Sequence, residues 1–129
     1  MNRLAIALFL AAFSGSAAAE WVQVTSNEKY TAYVDPSTIS RSGSMVKMWS
    51  LLDYTTAQES PSGKVYLSGK IQDEFDCQGK RFRALSYSLH TGQMGGGDTL
   101  FAGPDDRKWN PIHPDTTGEY SWKYACGKK

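Results

Sequence analysis

Beyond residue 13 this chain has no apolar run that approaches bilayer-spanning length, so nothing in residues 20–129 reads as a membrane helix. Histidine is scarce. His90 and His113 are the only two, and neither sits in metal-ligand spacing. Two cysteines without a suitably spaced histidine pair exclude a structural zinc site, and no ligand set for haem stands out. Both histidines therefore read as surface or capping residues, and no cofactor is expected. There is no Gly-x-Ser-x-Gly elbow. Gly95-Gly96-Gly97 lacks the Gly-Lys-Ser/Thr ending and the following helix of a phosphate loop, so it reads as a flexible hairpin tip. Internal repeats, heptads and low-complexity linkers are also missing, which leaves one domain.

An excess of charge of either sign is missing too. Arg3 lies in a leader-like segment. Without it the 14 basic residues fall to 13, equal to the 13 acidic ones. Such a balance gives no general attraction to nucleic acid or to an anionic membrane. The leader itself is legible. Arg3 precedes the apolar stretch Leu4 to Phe13, and Ala17-Ala18-Ala19 fits a small-residue cleavage site. Residues 1–19 are thus expected to be a signal peptide and 20–129 the exported domain, periplasmic or secreted. In an oxidising compartment Cys77 and Cys126 most simply form one disulfide; two free thiols or an intermolecular bond are the alternatives.

What is present is mostly strand pattern. Trp21–Thr25 and Lys29–Val34 are β-prone, with a break expected at Asp35-Pro36-Ser37 because proline cannot donate to a ladder, and brief pairing able to resume at Thr38-Ile39 before a turn at Arg41-Ser42-Gly43. Met45–Tyr54 carries large apolar groups on both faces, which suits a central strand. Thr55–Gly63 reads as an exposed loop. Lys64–Cys77 alternates best: Val65, Leu67, Ile71, Phe75 and Cys77 share one face, expected to meet the core. Gly69 marks a candidate bulge. Gln78-Gly79 reads as a two-residue turn into Lys80–His90, whose ambiguous parity calls for a bulge. Thr99–Ala102 can pair with that strand.

The last segment, Thr116–Cys126, reads as a short helix. Asp115 or Thr116 can cap it, Thr116 and Glu119 have capping-box spacing, and Gly127 can take the left-handed position after it. Trp122, Ala125 and Cys126 share its apolar face. Strands followed by one helix predict an α+β, mainly β fold: an antiparallel sheet with the helix on one face.

Candidate chemistry is thin. Asp73, Glu74 and Asp76 cluster before Cys77; Glu74 and Asp76 share a strand face and could act as paired carboxylates, but such residues more often solvate an exposed face, and Lys80, Arg81 and Arg83 across the turn can neutralise them. No catalytic constellation emerges. Four tryptophans and seven tyrosines are the unusual feature. Trp49, Trp109, Trp122 and Tyr87 are the candidate core or contact aromatics.

The order of pieces carries a resemblance. A leader precedes Trp21-Val22, then Tyr33-Val34-Asp35-Pro36-Ser37-Thr38-Ile39 and Val46-Lys47-Met48-Trp49. Asp76-Cys77, Arg81, a strand holding Tyr87, Trp109-x-Pro111-Ile112-x-Pro114 and Cys126 follow. This resembles the bacterial surface-adhesin protein E-like family. The resemblance implies six antiparallel strands, a helix tied to their concave side by Cys77–Cys126, and a homodimer. It also implies a non-enzymatic binding module for protein partners such as host matrix or envelope proteins. The alternatives are a periplasmic small-ligand binder or hydrolase using the Glu74/Asp76 face, and a structural envelope protein.

Overall fold

A computed structural model describes residues 19–128. The expected leader, all but Ala19, lies outside the described residues. The elements in chain order are β1 (Val22–Ser26), β2 (Tyr30–Ser42), β3 (Met45–Glu59), β4 (Val65–Asp76), β5 (Arg81–His90), β6 (Thr99–Pro104), β7 (Asn110–Pro111) and helix α1 (Thr117–Cys126). Strands β1 to β6 form one antiparallel up-and-down sheet in that order, and the two-residue β7 adds a seventh strand against β5. Among the described residues no helix is long and apolar enough to cross a membrane.

Several strand boundaries differ from the sequence expectation, each for a local reason. Proline 36 does not end β2. The chain bulges out between Asp35 and Ser40 and then rejoins β3. Within the bulge Asp35 accepts from the Ser37 backbone and hydroxyl at 3.0 and 2.6 Å. The Thr38 hydroxyl takes over the ladder's role by accepting from Trp49 N at 3.0 Å. Strand β3 runs on to Glu59, so most of the expected Thr55–Gly63 loop is strand. Its irregularity lies between Asp53 and Gln58. Gly69 is therefore not a bulge: it pairs regularly with Leu52 and Leu89. The bulge expected in β5 does occur, at Leu85, between the Gln72–Ser86 and Asp73–Ala84 pairs. The β4–β5 turn is four residues, Cys77–Lys80, rather than two, because the last pair is Asp76 with Arg81. Asp76 Oδ1 caps it by accepting from Gln78 N and Gly79 N.

The helix forms as its local signals require. Thr116 accepts from Glu119 N at 3.2 Å, and Glu119 reaches back to Asp115 N at 3.0 Å. This is a capping box displaced by one residue at its outer end. Gly127 takes φ 68° and closes the C-terminus. Glu119 and Lys123 approach to 4.0 Å, a weak pair whose lysine end is exposed. The Cys77–Cys126 disulfide joins the helix end to the β4–β5 turn, with Cα atoms 5.6 Å apart. The buried core is Val34, Val46, Met48 and Phe75 from the sheet with Trp122 and Ala125 from α1.

Trp122 does two things there. Its ring is buried, and Nε1 donates to the Asp76 carbonyl at 3.0 Å. Trp122→Phe leaves that carbonyl without its donor and a void where the second ring lay. The expected loss is about 2–3 kcal/mol, read from the urea midpoint followed by circular dichroism.

Helix α1 packs on β1 to β4 and on Phe82 at the start of β5, and leaves the rest of β5 and β6 uncovered on the same side. That explains why the apolar face of β4 meets the core only at one end. Phe75 lies under the helix at 1% exposure, whereas Val65 at the far end is 53% exposed.

Candidate functional site

The uncovered half of the helix-side face is where the sheet presents apolar surface. Alternation puts Tyr87 opposite Ile71 and Leu89 opposite Phe101, all on the side where α1 sits. The Tyr87 and Phe101 rings tilt together at 5.1 Å. With Leu89, Leu100 and the Ser60–Lys64 turn they line a cleft of about 360 Å³. Phe101 remains 46% exposed. Strand β6 is also the end of the sheet, and its outer side pairs with no other strand among the described residues. An unpaired edge beside an aromatic cleft offers backbone hydrogen bonds and a side-chain anchor together.

A second groove of about 280 Å³ lies between the first turn of α1 and the sheet, walled by Tyr30, Leu52, Ile71 and Phe82. Asp73 reaches into it. Burial pushes its carboxyl up to about 7, with the Asp105 charge adding to the effect. Position 73 falls between Ile71 and Phe75 in the β4 alternation, and that was the signal in the sequence: a carboxylate on the apolar face.

The carboxylates weighed as a possible acid/base pair do something else. Glu74 binds Arg83 at 2.7 Å and Asp76 binds Arg81 at 2.9 Å. The hydrogen bond from Gly79 N, then that from Arg81, hold the Asp76 carboxyl below its ordinary range. Asp76 is buried, so neither an acid/base pair nor a simply solvated face describes it; it is a turn clamp. The cross-strand pairing with Arg81 and Arg83 is as expected. Both guanidiniums also stack on Trp109, at 4.2 and 4.4 Å from its ring centre.

Trp122 is core, while Trp49 and Trp109 are half-buried. Trp49 shares a hollow of about 270 Å³ on the other sheet face with Trp21, Lys70 and Ser88. His113 is exposed, as expected, but His90 is buried. Its Nε2 meets Ser88 Oγ at 2.7 Å and its Nδ1 meets Thr99 Oγ1 at 3.3 Å. Burial, then nearby Lys70, lower its pKa. The glycine-rich segment is not a free tip. It folds back on the sheet as a single 3₁₀ turn at Gln93–Gly95. Gly95 N donates to Ser68 Oγ at 2.8 Å, Met94 N to Asp53 at 2.7 Å, and Ser68 Oγ to the Gly92 carbonyl at 2.6 Å.

Comparison with known proteins agrees with this architecture. A family model described as surface-adhesin protein E matches residues 21–127. No curated protein matches the chain. Among solved structures, one of Haemophilus influenzae protein E is similar at a TM-score of 0.63 and 14% identity, covering 87% of each chain. Another, of protein E from non-typeable Haemophilus influenzae, is similar at 0.60 and 14%, covering 87% of this chain and 78% of that one. At such identities the likeness is one of fold.

Proposed function

The chain belongs to the surface-adhesin protein E family, and from that premise we propose that it is an exported, non-enzymatic binding module whose partner is a protein of the host matrix or the cell envelope. The observation that carries the proposal is the Tyr87–Phe101 cleft beside the free β6 edge. An extended partner segment would add to β6 through backbone hydrogen bonds and seat one apolar side chain against Tyr87, Leu89 and Phe101. Aromatic anchors in a partly desolvated pocket carry most of the energy in such contacts. Export by cleavage after residue 19, a domain spanning 20–129, and association into homodimers belong to the same reading; light scattering on the oxidised protein reads the last.

Saturable binding of the mature protein to immobilised matrix and envelope protein fractions tests it, with Phe101→Asp alongside. The wild type is expected to bind and the variant to lose about tenfold or more in affinity, since a charge is driven into the cleft. Phe101 is exposed on an edge strand, so its replacement leaves the core intact. No saturable binding by the wild type, or equal binding by the variant, contradicts the proposal.

A further inference from the structure

We propose that the groove between the first turn of α1 and strands β3 to β5 is a binding site for a small organic cation, an ammonium group carried on an apolar body. It shares no lining residue with the Tyr87–Phe101 cleft and does not rest on the adhesin reading. Its walls are apolar and aromatic: Tyr30, Leu52, Ile71 and Phe82. Its acidic groups are Asp73 and Asp105, and among the described residues no lysine, arginine or histidine lines it. Three other carboxylates of the sheet and helix have cationic partners, and Asp35 and Asp53 have hydrogen-bond donors instead. Glu74 has Arg83, Asp76 has Arg81 and Glu119 has Lys123. Asp73 has no ion pair, nor any hydrogen bond to its carboxyl, among the described residues.

A carboxylate on a largely apolar face with no cationic partner is unfavourable when charged, and at Asp73, which is half-buried, only residual solvent access offsets that. An entering ammonium supplies what is missing, a charge-assisted hydrogen bond to Asp73. The Tyr30 and Phe82 rings can then accept the apolar body or the flank of the cation. The volume, about 280 Å³, suits one aromatic ring with a short chain rather than a large cofactor. The positive end of α1 borders the groove, but the Thr116 cap and Glu119 in the first turn already engage it. The titratable groups facing the site are Asp73, Asp105 and Tyr30. Because the Asp73 carboxyl sits near 7, proton and ammonium compete for it, and affinity rises about tenfold between pH 6 and pH 8.

Calorimetric titration of the oxidised mature chain with 2-phenylethylammonium, and in parallel with neutral 2-phenylethanol, decides the matter. The amine is expected to bind saturably at pH 8, about tenfold or more tighter than the alcohol, and to release a proton at pH 6.5 seen as a buffer-dependent heat. Asp73→Asn is expected to abolish the preference for the amine, and Asp105→Asn to weaken it by a smaller factor. Equal binding of amine and alcohol, unchanged amine binding by Asp73→Asn, or no saturable amine binding at pH 8 each overturns the proposal.

Discussion

Replacing both Cys77 and Cys126 with serine is expected to lower stability by about 4 kcal/mol and the melting temperature by about 15–20 °C. The two cysteines are 49 positions apart, so the bond removes a large loop's freedom from the unfolded chain. The effect reaches beyond entropy. Helix α1 has ten residues and would be marginal alone. It is held by the burial of Trp122 and Ala125 and by the bond at its last residue. Without that bond its C-terminal turn frays first, and Trp122 loses its donor contact to Asp76. Thermal melts of the double variant, and of the wild type with reductant, check this. A fall of only a few degrees would mean that packing alone seats the helix.

Asp73→Asn is expected to act in the opposite direction and to depend on pH. The folded carboxyl titrates near 7, above its ordinary 3.8. Between those values the folded chain keeps a proton that the unfolded chain has lost. Stability therefore falls as pH rises through this window, by up to about 4 kcal/mol above pH 7, less where water reaches the group. Asparagine removes the penalty. The variant is expected to be about 2–4 kcal/mol more stable than wild type at pH 8 and nearly equal to it at pH 4. His90 runs the other way. Its folded value lies below the ordinary 6.5, so its contribution is present above that pH and lost as pH falls. Both proteins contain His90, so it cancels in the difference between their urea curves at the two pH values. A variant less stable than wild type at pH 8 would show that Asp73 has a stabilising partner.

The sequence made the covalent tie and the helix legible because their signals are local. Thr116, Glu119 and Gly127 act within a few residues of one another, and a pair of cysteines in a chain read as exported has few options. The meander was legible from alternation and turn chemistry. What escaped was set by tertiary contacts. Pro36 reads as a strand end until Thr38 is seen to supply the acceptor that Trp49 N needs. The glycines at 95–97 read as mobile until Ser68 and Asp53 are found beneath them. His90 looks like a loop histidine because the strand that covers it, through Thr99, comes later in the chain. Asp73 was the most informative misreading, grouped with Glu74 and Asp76 as a solvated cluster. Its parity places it on the apolar face, but only the packed helix turns that parity into a groove. The exposed half of the sheet was likewise invisible, since alternation marks Val65, Leu89 and Phe75 alike and says nothing of where a ten-residue helix stops covering them.

The most direct measurement is a hydrogen-exchange footprint of the mature, oxidised protein bound to its saturating matrix or envelope protein fraction. New protection is expected in residues 99–104 and 87–89 and in the turn at 60–64, with none in β1 or on the outer face of α1 at Tyr120 and Tyr124. Protection confined to β1 or to that helix face, with β6 unchanged, would contradict the assignment of the uncovered half of the sheet as the contact surface.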